Sequence, residues 1–453
     1  MVRCIPAELR CIPSVWAPYH QSVHSTVGSS LVTTTTSLPD LQGLDLVEFG
    51  ARSGLLFRRP GLTLAGLGVA TTITLERPTG AKAAQQALAG LRSTNALPDQ
   101  PGTGPVAFGA LAFDRTESAT LIVPEIVLGQ NDDGDVWLSI TAHGAANPAA
   151  VLSNILVVAR RPIAIPDEKS TWSLRSAMTA QRWRDEVVAV ARDRIASGEL
   201  NKAVMAREAI FESAEPIDPA RVVVAVADTF ATANVFNING FVGASPELLV
   251  SRLGTTVRAH PLAGTAARSD DPHADAHLAA ELLASGKNRS EHQITIDWFL
   301  NELLPFCSYV DAEPEPSVMS LANVHHLGTL VEGVLSSPAA SVLELVQATH
   351  PTPAVGGDPQ STAIDVISEV EHAERGLYAG ATGWVDGAGN GAFAVNVRCA
   401  HIHGNRASVF SGVGVVAESD PQAELEETRA KFQAMLHPLL APWPGADAAI
   451  STI

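Results

Sequence analysis

The sequence is poor in cysteine and in positive charge. Its 453 residues include four cysteines, Cys4, Cys11, Cys307 and Cys399, and no two of them form a CxxC pair. Such sparse cysteines argue against a disulfide-stapled secreted fold and a structural zinc site, and they predict a reducing compartment, the cytoplasm. Lys and Arg number 30 against 48 Asp and Glu, so the formal net charge is −18. A chain this acidic lacks the basic surface that nucleic acid or an anionic membrane requires of a partner.

Long hydrophobic runs and nucleotide-binding loops are also missing. The most apolar stretch, 62–75, is shorter than the ~20 residues that cross a bilayer. The N-terminus lacks the apolar core of a secretory signal, and no Gly-rich loop joins a strand to a helix in the manner of a Rossmann or P-loop unit. What the chain does contain, 46% hydrophobic and 17% charged residues, is typical of a protein with a large buried core.

The chain divides by pattern into four stretches. Residues 1–44 carry a run of threonines and little apolar periodicity, so we expect a poorly ordered leader. From about 45 to 175, apolar runs of strand length alternate with Gly, Pro and Asp turn signals, which predicts antiparallel sheet. From about 180 to 438 the pattern predicts long helices and further strands. The last stretch, 441–453, predicts a flexible tail.

Helical periodicity and capping residues locate the helices of the second half. Apolar residues recur at helical spacing over 183–195, and Gly198 is placed to end that helix. A strand is predicted over 202–210. A second helical region spans 274–305, and a third begins at Asp420-Pro421, where Asp can cap the helix and Pro can take its first position.

Three glutamates are spaced as oxygen ligands for a divalent cation. Glu424 and Glu427 lie three residues apart early in the third predicted helix, so they share one face and repel unless a cation lies between them. Glu291 lies in the second predicted helical region, whose apolar residues indicate that the helix packs against the core. Carboxylates from two helices suit Mg²⁺. A solvated acidic helix face accounts for the same spacing, and the pattern leaves both interpretations open.

Two further ionisable residues stand at the ends of predicted strands. Glu247 follows a turn and precedes an apolar strand, where burial would raise its pKa toward that of a general acid. Lys202 begins a strand in which Val204 shares its side, and a desolvated lysine can act as a base. A capped turn residue and a solvated edge lysine are the structural alternatives. Gly412-Val413-Gly414 could offer main-chain N–H groups to a carboxylate, although most such turns bind nothing.

Taken in order, these segments resemble the chorismate-utilising enzymes, the family that includes isochorismate synthase, salicylate synthase and the synthase subunits for anthranilate and aminodeoxychorismate. The resemblance extends over about residues 46–438. It implies an α/β (α+β) fold, a single large unit over 45–440 made of two layered, mostly antiparallel sheets flanked by helices, like component I of anthranilate synthase. The segments that carry it are 202–207, 244–249, 261–265, 287–292, 350–357, 375–384, 395–400 and 411–431.

The resemblance also implies roles for individual residues. Glu291 and Glu427 are expected to bind Mg²⁺, with Glu424 assisting through water. Lys202 is expected to deprotonate a water that adds at ring C2 of chorismate, while Glu247 protonates the departing C4 hydroxyl. Burial would lower the pKa of such a lysine and raise that of the glutamate. The positions expected to hold the substrate are Gly264, Thr265, His326, Ala354, Tyr378, Arg398, Gly412, Val413, Gly414 and Lys431.

Two features favour isochorismate synthase within the family. Lys202 supplies the base that addition of water needs, whereas the anthranilate-forming members differ at this position. Ala354 lies in a Pro-Thr-Pro-Ala stretch like that of isochorismate synthases, where lyase and aminating members usually carry Thr. Salicylate synthase, which would go on to eliminate pyruvate, is the main alternative. An anthranilate or aminodeoxychorismate synthase component and a catalytically silent chorismate-binding protein are weaker ones.

We therefore expect reversible, Mg²⁺-dependent conversion of chorismate to isochorismate. Because water rather than ammonia is the nucleophile, no glutaminase subunit is expected, and we expect a cytoplasmic monomer that binds neither nucleic acid nor membrane. The same reaction serves menaquinone, catechol siderophore and salicylate synthesis.

Overall fold

The computed structural model describes residues 31–38, 43–144, 148–167, 169–321, 324–450 and 453. Strands dominate this part of the chain. In chain order they are β1 (Leu31–Leu38), β2 (Leu55–Arg59), β3 (Leu62–Leu67), β4 (Thr71–Leu75), β5 (Arg92–Asn95), β6 (Val106–Leu111), β7 (Ala119–Val123), β8 (Ile126–Asn131), β9 (Val136–His143), β10 (Trp172–Ser176), β11 (Lys202–Ser213), β12 (Asn234–Ile238), β13 (Phe241–Ser245), β14 (Leu248–Leu253), β15 (Thr256–His260), β16 (Leu262–Ala267), β17 (Cys307–Ala312), β18 (Ser317–Ser320), β19 (Val324–Gly328), β20 (Val331–Leu335), β21 (Gly357–Asp358), β22 (Ala381–Asp386), β23 (Gly391–Val395), β24 (Cys399–His403) and β25 (Arg406–Val415).

Most helices lie between these strands in sequence, and the last two follow β25. They are α1 (Leu46–Ser53), α2 (Ala81–Ala89), α3 (Pro148–Ala159), α4 (Ala180–Arg182), α5 (Ala189–Ala196), α6 (Pro219–Thr229), α7 (Pro272–Ala284), α8 (Gly286–Leu303), α9 (Val342–Thr349), α10 (Gln360–Glu371), α11 (Pro421–Leu440) and α12 (Ala446–Ile450). In the part of the chain that the structure describes, no helix is both long and apolar enough to span a membrane.

Two large sheets and one small one organise the chain. The larger has thirteen strands, ordered β10-β11-β25-β24-β13-β12-β2-β3-β8-β9-β1-β5 with β21 beside β11. The second has nine, ordered β17-β20-β15-β14-β23-β22-β6-β7-β4, and β16-β19-β18 form the small sheet. Among the described residues β1 and β5 are the one parallel pair. The expected mixed fold of mostly antiparallel sheets with helices is confirmed, and both large sheets take strands from both halves of the chain.

Strand alternation divides the buried side chains between two cores. On β2, Phe57 packs in a core with Phe108 of β6 and Phe393 of β23, so this core lies between the two large sheets. The neighbouring Leu56 points to the other face of the larger sheet, into a second core with residues of α1, α6 and α11 such as Leu436. A period of two along one strand therefore builds the layered arrangement, because successive side chains enter different layers.

Both predicted flexible ends need correction. The expected leader 1–44 is wrong over Leu31–Leu38, because this segment is β1, paired with β9 and β5. Thr33 and Thr35 are buried and hydrogen-bonded to Thr141 and Ser139, so the threonine run alternates as a β-branched strand does. Residues 1–30 and 39–42 lie outside the described part. The expected flexible tail 441–453 contains α12, and its buried residues, Trp443, Ile450 and Ile453, pack on the second core.

The predicted elements of the second half are confirmed with two differences. The first predicted helix contains a π-helical stretch, Trp183–Val188, between α4 and α5, and Gly198 follows it with φ 84°. The region 274–305 is two helices, since the side chain of Ser285 caps α8 by accepting from the N–H of Asn288. α11 begins as expected, with Asp420 capping and Pro421 in the first turn.

Candidate functional site

A cavity of about 240 Å³ lies where the larger sheet, the small sheet and the first turns of two helices meet. β11 and β25 form one wall, β16 and β19 another, and α8 and α11 contribute their N-terminal turns. A cavity of this volume is suited to a small molecule. Of the residues expected to form the site, it brings together Lys202, Glu247, Gly264, Thr265, Glu291, His326, Ala354, Tyr378, Arg398, Gly412, Gly414, Glu424, Glu427 and Lys431.

Val413 is the expected site residue that does not line the cavity. On β25 the alternation of the strand turns Gly412 and Gly414 toward the cavity and Val413 away from it. The Val413 side chain is buried in the core between the large sheets, and the residue pairs with Met205 of β11. The structure therefore places two of the three consecutive residues at the cavity.

Lys202 begins β11 and is fully buried. Its side chain is 1% exposed, and its Nζ lies 2.7 Å from Oε1 of Glu291, which α8 supplies. Burial by itself would raise the pKa of Glu291, but the charge and the hydrogen bond of Lys202 outweigh burial and lower that pKa. Gly414 lies against both side chains. A Cβ at Gly414 would be 2.7 Å from Oε1 of Glu291 and 2.8 Å from Cε of Lys202, so the ion pair requires glycine there.

Glu247 is a buried carboxylic acid. It is 4% exposed, just after β13, and its main-chain oxygen accepts from the N–H of Val395 at 3.1 Å. Burial raises the pKa of Glu247 to about 8, against a main-chain hydrogen bond at Leu262 and the charges of Lys202 and Lys431, which lower it. The group is therefore mostly protonated at neutral pH and can donate a proton into the cavity.

Two more glutamates project from the first turns of α11. Glu427 Oε1 lies 2.7 Å from Nζ of Lys431, which also donates to the main-chain oxygen of Gly412 at 3.0 Å. Burial, followed by the negative charge of Glu427, raises the pKa of Glu424 to about 7. A cation bound between the two carboxylates would offset their mutual repulsion.

The donor chemistry of the three cavity glutamates fits a hard cation such as Mg²⁺, which prefers oxygen ligands. Their present arrangement is not yet a ligand set. Among the described residues, no group of three or more His, Cys, Asp or Glu side chains is placed to hold a metal ion. Glu291 and Glu427 are each paired with a lysine instead. Each lysine contacts Oε1 of its glutamate, so a cation bound at that oxygen would compete with the lysine.

A hydrogen-bonded chain fixes His326 and Arg398. Arg398 Nη2 donates to Nε2 of His326 at 2.9 Å, and Nδ1 of His326 lies 3.1 Å from the main-chain oxygen of Gly264 and 3.2 Å from Oγ1 of Thr265. A guanidinium only donates, so Nε2 accepts and Nδ1 carries the hydrogen. Burial, with the charge of Arg398, lowers the pKa of His326 well below its ordinary value. His326 is therefore neutral and positions the Arg398 cation.

Tyr378 stands beside the glycines of β25. Its ring stacks on Phe410 with centroids 5.2 Å apart, and burial raises the pKa of its phenol, so it is a hydrogen-bond donor at neutral pH. A Cβ at Gly412 would lie 2.8 Å from the phenol oxygen. Gly412 therefore gives the Tyr378 hydroxyl its place, as Gly414 does for the Lys202–Glu291 pair.

Sequence reasoning missed several cavity residues, and for two of them it had the means to find them. Phe410 lines the cavity because it lies two residues before Gly412 on β25, and continuing the alternation would have included it. Lys287 lines the cavity four residues before Glu291 on α8, on the same helical face. Nothing in the sequence indicated that Val397 also lines it, since this residue follows the end of a strand.

Comparisons with known proteins show which family the chain resembles. The family model described as chorismate binding enzyme matches residues 21–440. The putative isochorismate synthase MenF of Mycobacterium tuberculosis is 38% identical over 351 residues, which cover 74% of this chain and 86% of that protein. Isochorismate synthase DhbC of Bacillus subtilis is 35% identical over 343 residues, covering 73% of this chain and 80% of that protein.

Solved structures are similar as well. A putative 2,3-dihydroxybenzoate-specific isochorismate synthase, DhbC, from Bacillus anthracis matches with a TM-score of 0.73 and 32% identity, over 87% of this chain and 98% of that chain. The menaquinone-specific isochorismate synthase MenF from Escherichia coli matches with a TM-score of 0.75 at 23% identity, over 90% of this chain and 94% of that chain. This second match is evidence for the fold.

Proposed function

The chain belongs to the chorismate-binding enzyme family, and we propose that it is an isochorismate synthase, an isomerase that interconverts chorismate and isochorismate. The observation that carries the proposal is one cavity lined by a buried amine, Lys202, and a buried carboxylic acid, Glu247, whose pKa is raised to about 8. Addition of water at one ring carbon and loss of hydroxide from another need one base and one acid. Relatives at 35–38% identity that are named as isochorismate synthases support the same reaction.

The proposed reaction exchanges one hydroxyl for another. Lys202 accepts a proton from water as the water oxygen bonds to C2. The two ring double bonds shift, and the C4–O bond breaks. Glu247 gives its proton to the departing oxygen, which leaves as water. Lys202 can act only as a free amine, because an ammonium that donates to Glu291 has no lone pair. Lys202 must therefore give up one proton before it can accept one from water.

The remaining cavity groups are suited to binding two carboxylates. Arg398 and Lys431 are cations, Tyr378 donates a hydrogen bond, and Gly412 and Gly414 allow close approach of the main chain. We propose that these groups orient chorismate, with His326 holding Arg398 in place. Ala354 supplies a small apolar contact and no hydroxyl. Because the lyase members of the family usually carry Thr there, this residue favours a reaction that stops at isochorismate.

We propose that Glu291 and Glu427 bind Mg²⁺ directly and that Glu424 assists through water. When bound, the ion would neutralise the ring carboxylate of the substrate. It would also take the place of Lys202 and Lys431 as the positive charge beside Glu291 and Glu427. The support is the donor set, three carboxylates lining one cavity with the pKa of Glu424 raised to about 7.

The experiment that tests the proposal is product analysis with purified protein, chorismate and Mg²⁺. We expect isochorismate at equilibrium with chorismate and no requirement for a glutaminase subunit or ammonia. Salicylate and pyruvate as main products would identify a salicylate synthase, and ammonia-dependent anthranilate would overturn the role of Lys202. Thermal stabilisation by chorismate without any product would indicate a silent binding protein.

Cellular and quaternary proposals accompany the reaction. The cysteines in the described part of the chain, Cys307 and Cys399, are free thiols, which agrees with a cytoplasmic location. We propose that the monomer is sufficient, because every cavity residue named above comes from one chain. Activity that follows the monomer peak in size-exclusion chromatography would support this, and activity confined to a larger species would contradict it.

A further inference from the structure

One edge of β11 has a gap in its strand pairing within the part of the chain that the structure describes. β21 pairs with Lys202 and Ala203 on this edge, and β10 pairs with the far end, 209–213. Between them, over residues 204–208, no strand of the described chain lies alongside. The main-chain N–H and C=O groups that point to this edge are buried, so each needs a hydrogen-bond partner from elsewhere.

Two of these groups find partners in the flanking segments. The N–H of Val204 donates to the main-chain oxygen of Gly356 at 2.9 Å, just before β21. The oxygen of Ala206 accepts from Nε1 of the buried Trp183 at 2.8 Å. The first contact extends the β11–β21 hydrogen-bond ladder by one residue. In the second, a tryptophan side chain takes the place of a strand.

The remaining main-chain groups of Val204 and Ala206 on this edge are satisfied by a buried ion pair. The N–H of Ala206 donates to Oε1 of Glu371 at 2.6 Å, and the oxygen of Val204 accepts from Nη2 of Arg375. Glu371 and Arg375 also bond to each other, with Nε of Arg375 2.9 Å from Oε2 of Glu371. One acid and one base therefore replace a missing strand, the acid accepting where a carbonyl would and the base donating where an N–H would.

Arg375 reaches a third segment. Its Nη1 donates to the main-chain oxygen of Val355 at 2.8 Å, in the loop that carries Ala354, and its guanidinium lies 4.4 Å from the ring centroid of Phe113. The two side chains are 2% and 1% exposed and neither lines the cavity. The pair thus joins the strand of Lys202 to the loop of Ala354 without touching a ligand.

We propose that Glu371 and Arg375 are positioning residues, which hold β11 and the 350–357 loop in one frame so that Lys202 and Ala354 keep their places in the cavity. As a role in catalysis this rests on the proposed function. The groups that orient the substrate, Arg398 and Lys431, stand on other elements. Loss of the pair therefore shifts the base relative to the ring while leaving the carboxylate anchors, and a displacement of about 1 Å costs on the order of 10² in rate.

The test uses three variants that perturb the pair differently. Glu371→Gln removes the charge of the acid, Arg375→Lys keeps the positive charge but loses the fork, and the double variant Glu371→Leu/Arg375→Met replaces both charges with apolar groups. The double variant also leaves the N–H of Ala206 and the oxygens of Val204 and Val355 without a partner, whereas the amide oxygen introduced by Glu371→Gln can still accept from Ala206, so Glu371→Gln is the mildest of the three. For each variant we expect kcat to fall about 10²-fold with KM within ~3-fold of the wild type.

Asp386→Asn is the matched control. Asp386, the last residue of β22, is a buried carboxylate that accepts from the N–H groups of Gly102, Ala388 and Asn390, away from the cavity. We expect this variant to lose thermal stability and keep its kcat. The pair would have only a general structural role if Asp386→Asn, at the same loss of thermal stability, lowered kcat as much as the pair variants do.

Hydrogen–deuterium exchange separates failure of this inference from failure of the proposed function. We expect faster exchange in peptides covering 202–207 and 352–357 in the pair variants, and unchanged exchange there in Asp386→Asn. A wild type that forms isochorismate, with variants of unchanged kcat and exchange, overturns the positioning role alone. A wild type that forms none overturns the proposed function. The exchange data then decide by themselves whether the pair holds the two segments.

Discussion

The ammonium of Lys202 lies 2.7 Å from the carboxylate of Glu291, and both side chains rest against Gly414. The contact joins the residue proposed as the base to a residue proposed as a metal ligand. In this arrangement each of the two side chains is engaged with the other. The proposed roles of both residues therefore bear on this one contact.

Gly414→Ala tests the space that this contact needs. The added Cβ would lie within 2.8 Å of both side chains, so the pair must move or β25 must shift. We expect kcat/KM to fall by about 10² or more, since the base is displaced by roughly 1 Å. Gly286→Ala, where an added Cβ meets nothing within 4 Å, is the control and should retain near-normal kinetics. Equal activity of the two variants would mean that the Lys202–Glu291 contact is irrelevant to the reaction.

Removal of either proposed proton-transfer group should affect turnover far more than folding. Lys202→Ala and Glu247→Gln are each expected to lower kcat by about 10²–10⁴, the usual worth of a positioned base or acid. Steady-state kinetics with isochorismate detection measures this, and the exposed Lys82→Ala serves as the control. If either variant turned over at the wild-type rate, its residue would have no part in the mechanism.

Glu247 should also make stability depend on pH. Its pKa is raised to about 8 in the folded chain, so between the ordinary value of 4.5 and about 8 the folded protein binds a proton that the unfolded chain has released. The free energy of unfolding therefore falls as pH rises through this range, by up to about 1.4 kcal/mol per pH unit. Below about pH 4.5 both states hold the proton, and this stabilisation of the folded state is present in full. Glu247→Gln cannot ionise and should therefore be more stable than wild type above pH 8. Melting curves from pH 5 to 9 measure the difference, with exposed Glu374→Gln as control; parallel curves for wild type and Glu247→Gln would contradict the buried acid.

Magnesium dependence should follow the cavity glutamates. Chelation by EDTA is expected to abolish turnover and Mg²⁺ to restore it. Glu291→Gln and Glu427→Gln should each weaken Mg²⁺ binding, measured by calorimetry with and without chorismate, by ~10-fold or more. Glu426→Gln is the matched control, because Glu426 precedes Glu427 on α11 but is exposed and bonded to Gln422. Equal Mg²⁺ affinity in all three variants would show that the ion binds elsewhere or not at all.

Much of the fold was predictable because its signals are local. The cap at Asp420, the start of β11 at Lys202 and the turn at Gly198 depend on neighbours in sequence, and each was predicted. β1 was not, because a run of threonines has no apolar alternation. Its inward residues are satisfied by hydroxyls of β9, about a hundred residues away in the chain. α12 was likewise missed, since a five-residue helix is stabilised by the core it covers rather than by its own pattern.

The candidate site likewise contains residues that the sequence could indicate and residues that only the structure reveals. The residues that gather around the cavity were named through family resemblance, since nothing local joins Lys202 to Glu291 or Arg398 to His326. Val413 was named with its neighbours because the sequence motif is continuous, whereas strand alternation turns its side chain away from the cavity. The Glu371–Arg375 pair could not be recognised, because its reason for existing is a gap between two strands that only the sheet reveals.

The most direct test of the account is the fate of the oxygen atom. Purified protein is incubated with chorismate and Mg²⁺ in ¹⁸O-labelled water, and the products are separated and analysed by mass spectrometry, with Lys202→Ala alongside. The account predicts isochorismate carrying one ¹⁸O in its ring hydroxyl from the wild type, and none above background from Lys202→Ala. Isochorismate without label, labelled isochorismate formed equally by Lys202→Ala, or salicylate and pyruvate in its place would contradict it.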